Sequence, residues 1–178
     1  MPRQAMYVHG NAVVMRFPGG KGDPTGSPHT SNHQMNGVFD RDTGGRIEWS
    51  DVVGLHRPQG VTYTGREHQT NTFFAIVPTP VWRDDVRAKL ARVAVKFASA
   101  PGVSITGIRV SDGARDIPFA FPPMRLGGDH SLTWEPNVNF FDHPSPPDIE
   151  SCVCVVFDVS FDREGDITFC AVGCDFIV

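Results

Sequence analysis

The sequence has no apolar run approaching the roughly 18–20 residues that a membrane-spanning helix needs. Its first stretch, Met1 to Gly10, lacks the apolar segment of a secretory signal. A protein made and kept in the cytoplasm is therefore expected, with signal-independent export as the alternative. The formal net charge of −4 gives no electrostatic reason to expect nucleic acid or an anionic membrane surface as a partner. A nucleophile elbow, a phosphate loop, a dinucleotide fingerprint and an HExxH pair are all missing. Glu48, Glu67, Glu135, Glu150 and Glu164 are scattered, which leaves no carboxylate pair to nominate for glycoside hydrolysis. Tyrosine is scarce, with two residues against 13 phenylalanines, so an interior filled with apolar rings is expected. No internal repeat is visible.

Glycine and proline are abundant, at 18 and 15 of 178 residues, while charged residues make up 20%. That excess suits many short strands and turns rather than long helices. The length fits one domain spanning 1–178. Turn signals recur about every 8–12 residues, which predicts an all-β fold: a single antiparallel β-sandwich, jelly-roll-like, with a long Gly/Pro-rich loop over 18–37. By composition such a loop is expected to be either disordered or functional, and a neighbouring copy of the chain is one candidate for holding it. Strands are predicted over Tyr7–Phe17 (broken at Gly10-Asn11), Arg46–Leu55, Val61–Tyr63 and Phe73–Val77, the last stopped by Pro78-Thr79-Pro80. Val86, Leu90, Val93 and Phe97 fall at helical spacing, but the valine content of Leu90–Phe97 favours a strand. Val103–Val110, Ile117–Phe121, Leu132–Trp134 and Val138–Phe141 complete the set.

The C-terminal stretch is the most patterned. Val153, Val155, Phe157, Val159 and Phe161 alternate with Cys154, Val156, Asp158 and Ser160, the two-residue period of a strand with one buried face. Asp162 to Asp166 supply turn chemistry, and Ile167–Val178 returns as a second β-rich segment. A hairpin is predicted, with Phe161 facing Thr168, Val159 facing Cys170, Phe157 facing Val172 and Val155 facing Cys174. This register puts Cys170 and Cys174 inside and leaves Asp175 outside; a one-residue slip would bury that charge.

Several short motifs together resemble an uncharacterised family of bacterial single-domain proteins, a domain of unknown function. They are His9-Gly10-Asn11-Ala12-Val13-Val14, Pro78-Thr79-Pro80-Val81, Leu90 to Phe97, Val110-Ser111-Asp112-Gly113, Gly128-Asp129-His130-Ser131, Ile167-Thr168-Phe169 and Gly173-Cys174-Asp175-Phe176. The resemblance implies a single β-sandwich and a strand over Leu90–Phe97. It carries no activity across.

The polar side chains that invite chemistry are few. Cys152, Cys154, Cys170 and Cys174 suggest zinc, but structural zinc sites space thiolates as C-x₂₋₄-C, and C-x-C within a strand chelates poorly. Free thiols packing the sheet are preferred, with a disulfide or a metal as alternatives. His29 and His33 have HxxxH spacing but sit among Pro, Gly, Ser and Asn, where chance composition explains them. Asp129-His130 and Asp142-His143 flank short strands with Trp134 between them. A carboxylate, an imidazole and an aromatic platform on loops can bind a sugar or a cation, so Asp129, His130, Trp134, Asp142 and His143 are the candidate ligand-binding residues. The competing reading is that these aspartates merely shape turns. No catalytic residue, metal or cofactor is assigned. The expected function is a non-catalytic β-sandwich module acting by binding or by homo-oligomeric assembly. The alternatives are a lectin-like carbohydrate-binding protein and a metal-dependent enzyme using the histidines.

Overall fold

A computed structural model describes residues 3–16, 38–39, 46–47, 53–57, 59–83, 85–119, 121 and 124–178. The predicted loop 18–37, with His29 and His33, lies outside them, as does Trp49. The strands are β1 (Arg3–His9), β2 (Val14–Arg16), β3 (Val38–Phe39), β4 (Arg46–Ile47), β5 (Val53–Arg57), β6 (Gly60–Gly65), β7 (Gln69–Val77), β8 (Trp82–Arg83), β9 (Val86–Arg87), β10 (Lys89–Ser99), β11 (Val103–Asp112), β12 (Arg115–Ile117), β13 (Phe140–Asp142), β14 (Val153–Phe161) and β15 (Gly165–Ile177). The first sheet runs β13-β10-β15-β6-β5, with β1 also paired to β15; the second runs β12-β11-β14-β7-β2. Both are antiparallel, and their facing sides make a β-sandwich core. Phe73, Phe97, Phe157, Phe161, Phe169 and Phe176 are fully buried there. Leu90–Phe97 is strand, not helix. The predicted single strand over Tyr7–Phe17 is instead β1 and β2 in different sheets, separated by a 3-10 turn at Gly10–Ala12.

The predicted C-terminal hairpin does not form. β14 pairs with β11 and β7 in the second sheet, whereas β15 pairs with β10, β1 and β6 in the first. Asp162-Arg163-Glu164 carries the chain from one layer to the other. Ala100-Pro101-Gly102 does the same between β10 and β11, and the two crossings are bonded side by side. The Asp162 N–H donates to the Gly102 carbonyl and the Ala100 N–H to the Asp166 carbonyl, both at 2.8 Å. Gly102 has φ +84°, a conformation that a side chain resists. β10–β11 and β14–β15 thus form one long antiparallel ribbon folded over on itself. Both of its strands carry an apolar face, and folding over presses those faces together, where a flat hairpin would align them on one side of a single sheet.

The parity of β15 changes midway. Ile167 and Phe169 point inward, and so do Val172, Cys174 and Phe176. Lys96 is opposite Ala171 while Phe97 is opposite Phe169, so Cys170 is the extra residue of a β-bulge. Cys174 is buried as the alternation predicted, but Cys170 is corrected to a half-buried position. All four thiols are free. Beside the bulge, β1 and β6 meet end to end along β15, and a Cβ on either Gly10 or Gly60 would fall on the Phe169 carbonyl oxygen.

Asp112 ties β11 to the segment that enters β14. Its carboxylate is inaccessible and accepts from the N–H groups of Glu150 and Ser151, both at 2.8 Å, and from the Arg115 guanidinium at 2.8 Å. Burial favours the neutral acid, but these donors outweigh it and hold the carboxyl below the usual range.

Gly10→Ala and Gly60→Ala are each expected to cost about 3 kcal/mol in denaturant unfolding, since backbone rather than a flexible side chain occupies the space. The depressed Asp112 acid contributes stability above its unfolded pKa that is lost as pH falls through the folded value. Stability measured on acidification should therefore drop below about pH 4, and Asp112→Asn should flatten that part of the profile.

Candidate functional site

The segment after β12 returns along the free edge of β10. The Ser99 N–H donates to the Gly128 carbonyl, the His130 N–H to Phe97 and the Val95 N–H to Asn139; further along, the His143 N–H donates to Ala91 and the Leu90 N–H to Pro147. β13 supplies the regular part of this irregular edge. Between His130 and Asn139 the chain leaves the edge as a loop. The predicted strand over Leu132–Trp134 lies in this loop and does not form.

Asn139 closes the neck. It is fully buried, and its amide nitrogen donates to the carbonyls of His130 (2.9 Å) and Val95 (3.0 Å). Its amide oxygen accepts from the Thr133 hydroxyl and the Glu135 N–H, each at 3.1 Å. Every donor and acceptor of the side chain is used, so these four hydrogen bonds fix the neck of the loop. The loop holds Leu132 at 89% exposure and Trp134 at 46%.

Trp134 meets the outer face of the first sheet. Its ring stands edge-on to Tyr7, with centroids 5.7 Å apart, and the Lys96 ammonium lies 4.4 Å from the Trp134 centroid. The Tyr7 ring lies across Gly173, where any side chain would collide with it. The Tyr7 hydroxyl donates to Asp175 at 3.4 Å. Burial, then the Asp175 carboxylate, push its pKa up to about 12. Arg92 joins the neighbouring carboxylates, bonding Asp142 through two nitrogens (2.9 and 3.3 Å) and lying 3.5 Å from Asp175, with its guanidinium 4.2 Å from the Phe140 centroid.

Of the predicted site residues, Trp134 and Asp142 reach this face. Asp129 sits at the foot of the loop, where its carboxylate accepts from the Ser131 hydroxyl (2.6 Å) and N–H (3.0 Å). Those bonds, the hydroxyl first, hold its acid below the ordinary value, and they are turn-shaping bonds. The His130 ring packs on Phe97 at 5.3 Å with Nε2 3.1 Å from the Gly127 carbonyl. His143 is drawn elsewhere, edge-on to Phe119 at 4.8 Å, with Nε2 3.3 Å from the Pro118 carbonyl and Nδ1 accepting from the Ser145 N–H at 3.1 Å. Tyr7, Lys96, Arg92 and Asn139 were not singled out by sequence, and Asp175 was read only as a charge facing outward. No spacing rule links them, because strand pairing alone sets Ala94 beside Gly173 and Gly173 beside Tyr7. Neither a protein-family model nor a curated protein matches the chain.

A second surface lies on the outer face of the other sheet, a shallow groove lined by Phe74, Arg109, Ser111, Asp116, Cys154 and Val156. Arg109 is paired there with Asp158 at 2.9 Å.

Asn139→Ala strands two carbonyls and the Glu135 N–H together. A loss of about 3 kcal/mol is expected, with faster amide exchange at Glu135 and Val95.

Proposed function

We propose that this β-sandwich is a non-catalytic binding module whose contact surface is the corner formed by Tyr7, Trp134 and the loop bearing Leu132. The observation that carries this is the brace: a fully buried Asn139 spends four hydrogen bonds holding a loop whose apolar side chains face solvent. Ordering those side chains in advance lowers the entropy that a partner must overcome on binding. Aromatic anchors with a polar surround are the residues that dominate such contacts.

The half-exposed Trp134 ring also suits a carbohydrate. The carboxylates needed for sugar hydroxyls are occupied, however: Asp129 by Ser131, and Asp142 and Asp175 by Arg92. A protein surface, which asks chiefly for apolar area, fits better. A metal-dependent enzyme finds less support. His130 and His143 are packed on phenylalanines, and among the described residues no three His, Cys, Asp or Glu side chains stand together as ligands.

Glycan-array binding and sedimentation at micromolar protein, run on wild type and Trp134→Ala with folding checked by circular dichroism, test this. Whatever association wild type shows is expected to fall at least about tenfold in the variant, as for a central aromatic anchor. Association that Trp134→Ala leaves untouched would move the function off this corner.

A further inference from the structure

We infer that the partner of this corner is a second copy of the chain, paired about a two-fold axis so that each Trp134 loop lies on the other copy's Tyr7 face. This rests on the binding role proposed above and names the occupant. Leu132, at 89% exposure, is a projection; the half-exposed Tyr7 and Trp134 rings are a platform. Projection and platform belong to one chain and sit two residues apart at Leu132 and Trp134. A surface that carries both halves of a contact is self-complementary, which is the requirement of an isologous pair.

The charges agree. On the sheet, Arg92 and Arg3 together balance Asp142 and Asp175, which leaves Lys96 as the cation beside the platform. The loop carries the exposed carboxylate of Glu135 next to Trp134. Laying the loop of one copy on the sheet of the other brings Glu135 towards Lys96, and two-fold symmetry makes that contact twice. A partner recognised by one sign of charge, such as a polyanion, finds no matching field on this mixed surface. Strand addition at β10 is also closed, because the segment through Gly128, Asn139 and Pro147 already bonds that edge, so the contact is face to face.

The test is a charge exchange read by sedimentation and native mass. Wild type is expected to be a dimer at micromolar concentration. Glu135→Lys places two cations at each contact and Lys96→Glu two anions, so each variant alone should dissociate about tenfold more readily. Mixing the two variants restores an opposite pair at both contacts, and the mixed dimer should regain wild-type affinity. Leu132→Ser, in a side chain that is almost wholly outside the fold, should also weaken the dimer. Wild type that stays monomeric, or variants that fail to recover on mixing, would overturn the pairing. A monomer that still binds a glycan or another protein through Trp134 would sink the pairing and spare the binding role. A dimer indifferent to both Leu132→Ser and Trp134→Ala would sink both.

Discussion

Everything in this fold depends on two turns bonded back to back. Through Asp162 to Gly102 and Ala100 to Asp166, the crossings of a long ribbon are held at one end of the sandwich. Their effect is to make β10–β15 and β11–β14 the central pairs of opposite layers. Most of the largest buried side chains, among them Phe97, Phe157, Phe161 and Phe169, come from this ribbon, with Tyr63 and Phe73 added from β6 and β7, so the ribbon supplies the greater part of the core. Asp112 and Asn139 are buried with their side-chain bonds made, whereas the Asn71 amide nitrogen and the Ser104 hydroxyl are buried with no partner among the described residues.

The sequence carried the faces of the strands but not their partners. Alternation in Val153–Phe161 is a statement about which side is dry, and β14 obeys it along its whole length. A turn such as Asp162-Arg163-Glu164 closes a hairpin or crosses between sheets with the same residues, so its composition could not choose. The choice belongs to the ribbon, whose apolar sides need each other. For the same reason Leu90–Phe97 is a strand despite its helical spacing: β15 and β13 flank it on both edges. The bulge at Cys170 had no local signal either. It reconciles two inward runs, Ile167–Phe169 and Val172–Phe176, that differ in parity.

The candidate site was legible in part and for a related reason. Trp134 and Asp142 could be noticed because they are conspicuous residues near turns, and both lie on the outer face. Asp129 and His143 were equally conspicuous but are used by their own neighbourhoods, Ser131 in one case and Phe119, Pro118 and Ser145 in the other. Asn139 was invisible, since one amide among Val138, Phe140 and Phe141 looks like a defect in an apolar run. Only the four groups that converge on it give it a role, and those groups come from residues as far apart as Val95 and Glu135.

The bulge and the binding corner are one piece of architecture. Had β15 continued the parity of Ile167 and Phe169, then Gly173 and Asp175 would point into the core and Cys174 outward. The extra residue at Cys170 reverses this. Asp175 reaches Arg92 and Tyr7 on the outer face instead of entering a dry interior, where an unpaired carboxylate would cost several kcal/mol. Cys174 becomes the inaccessible thiol, with burial raising its pKa. Gly173 arrives outside, and because it has no side chain the Tyr7 ring can lie flat across the sheet and meet Trp134 edge-on. A single inserted residue thus removes a charge from the core and builds the platform on which the exposed loop stands.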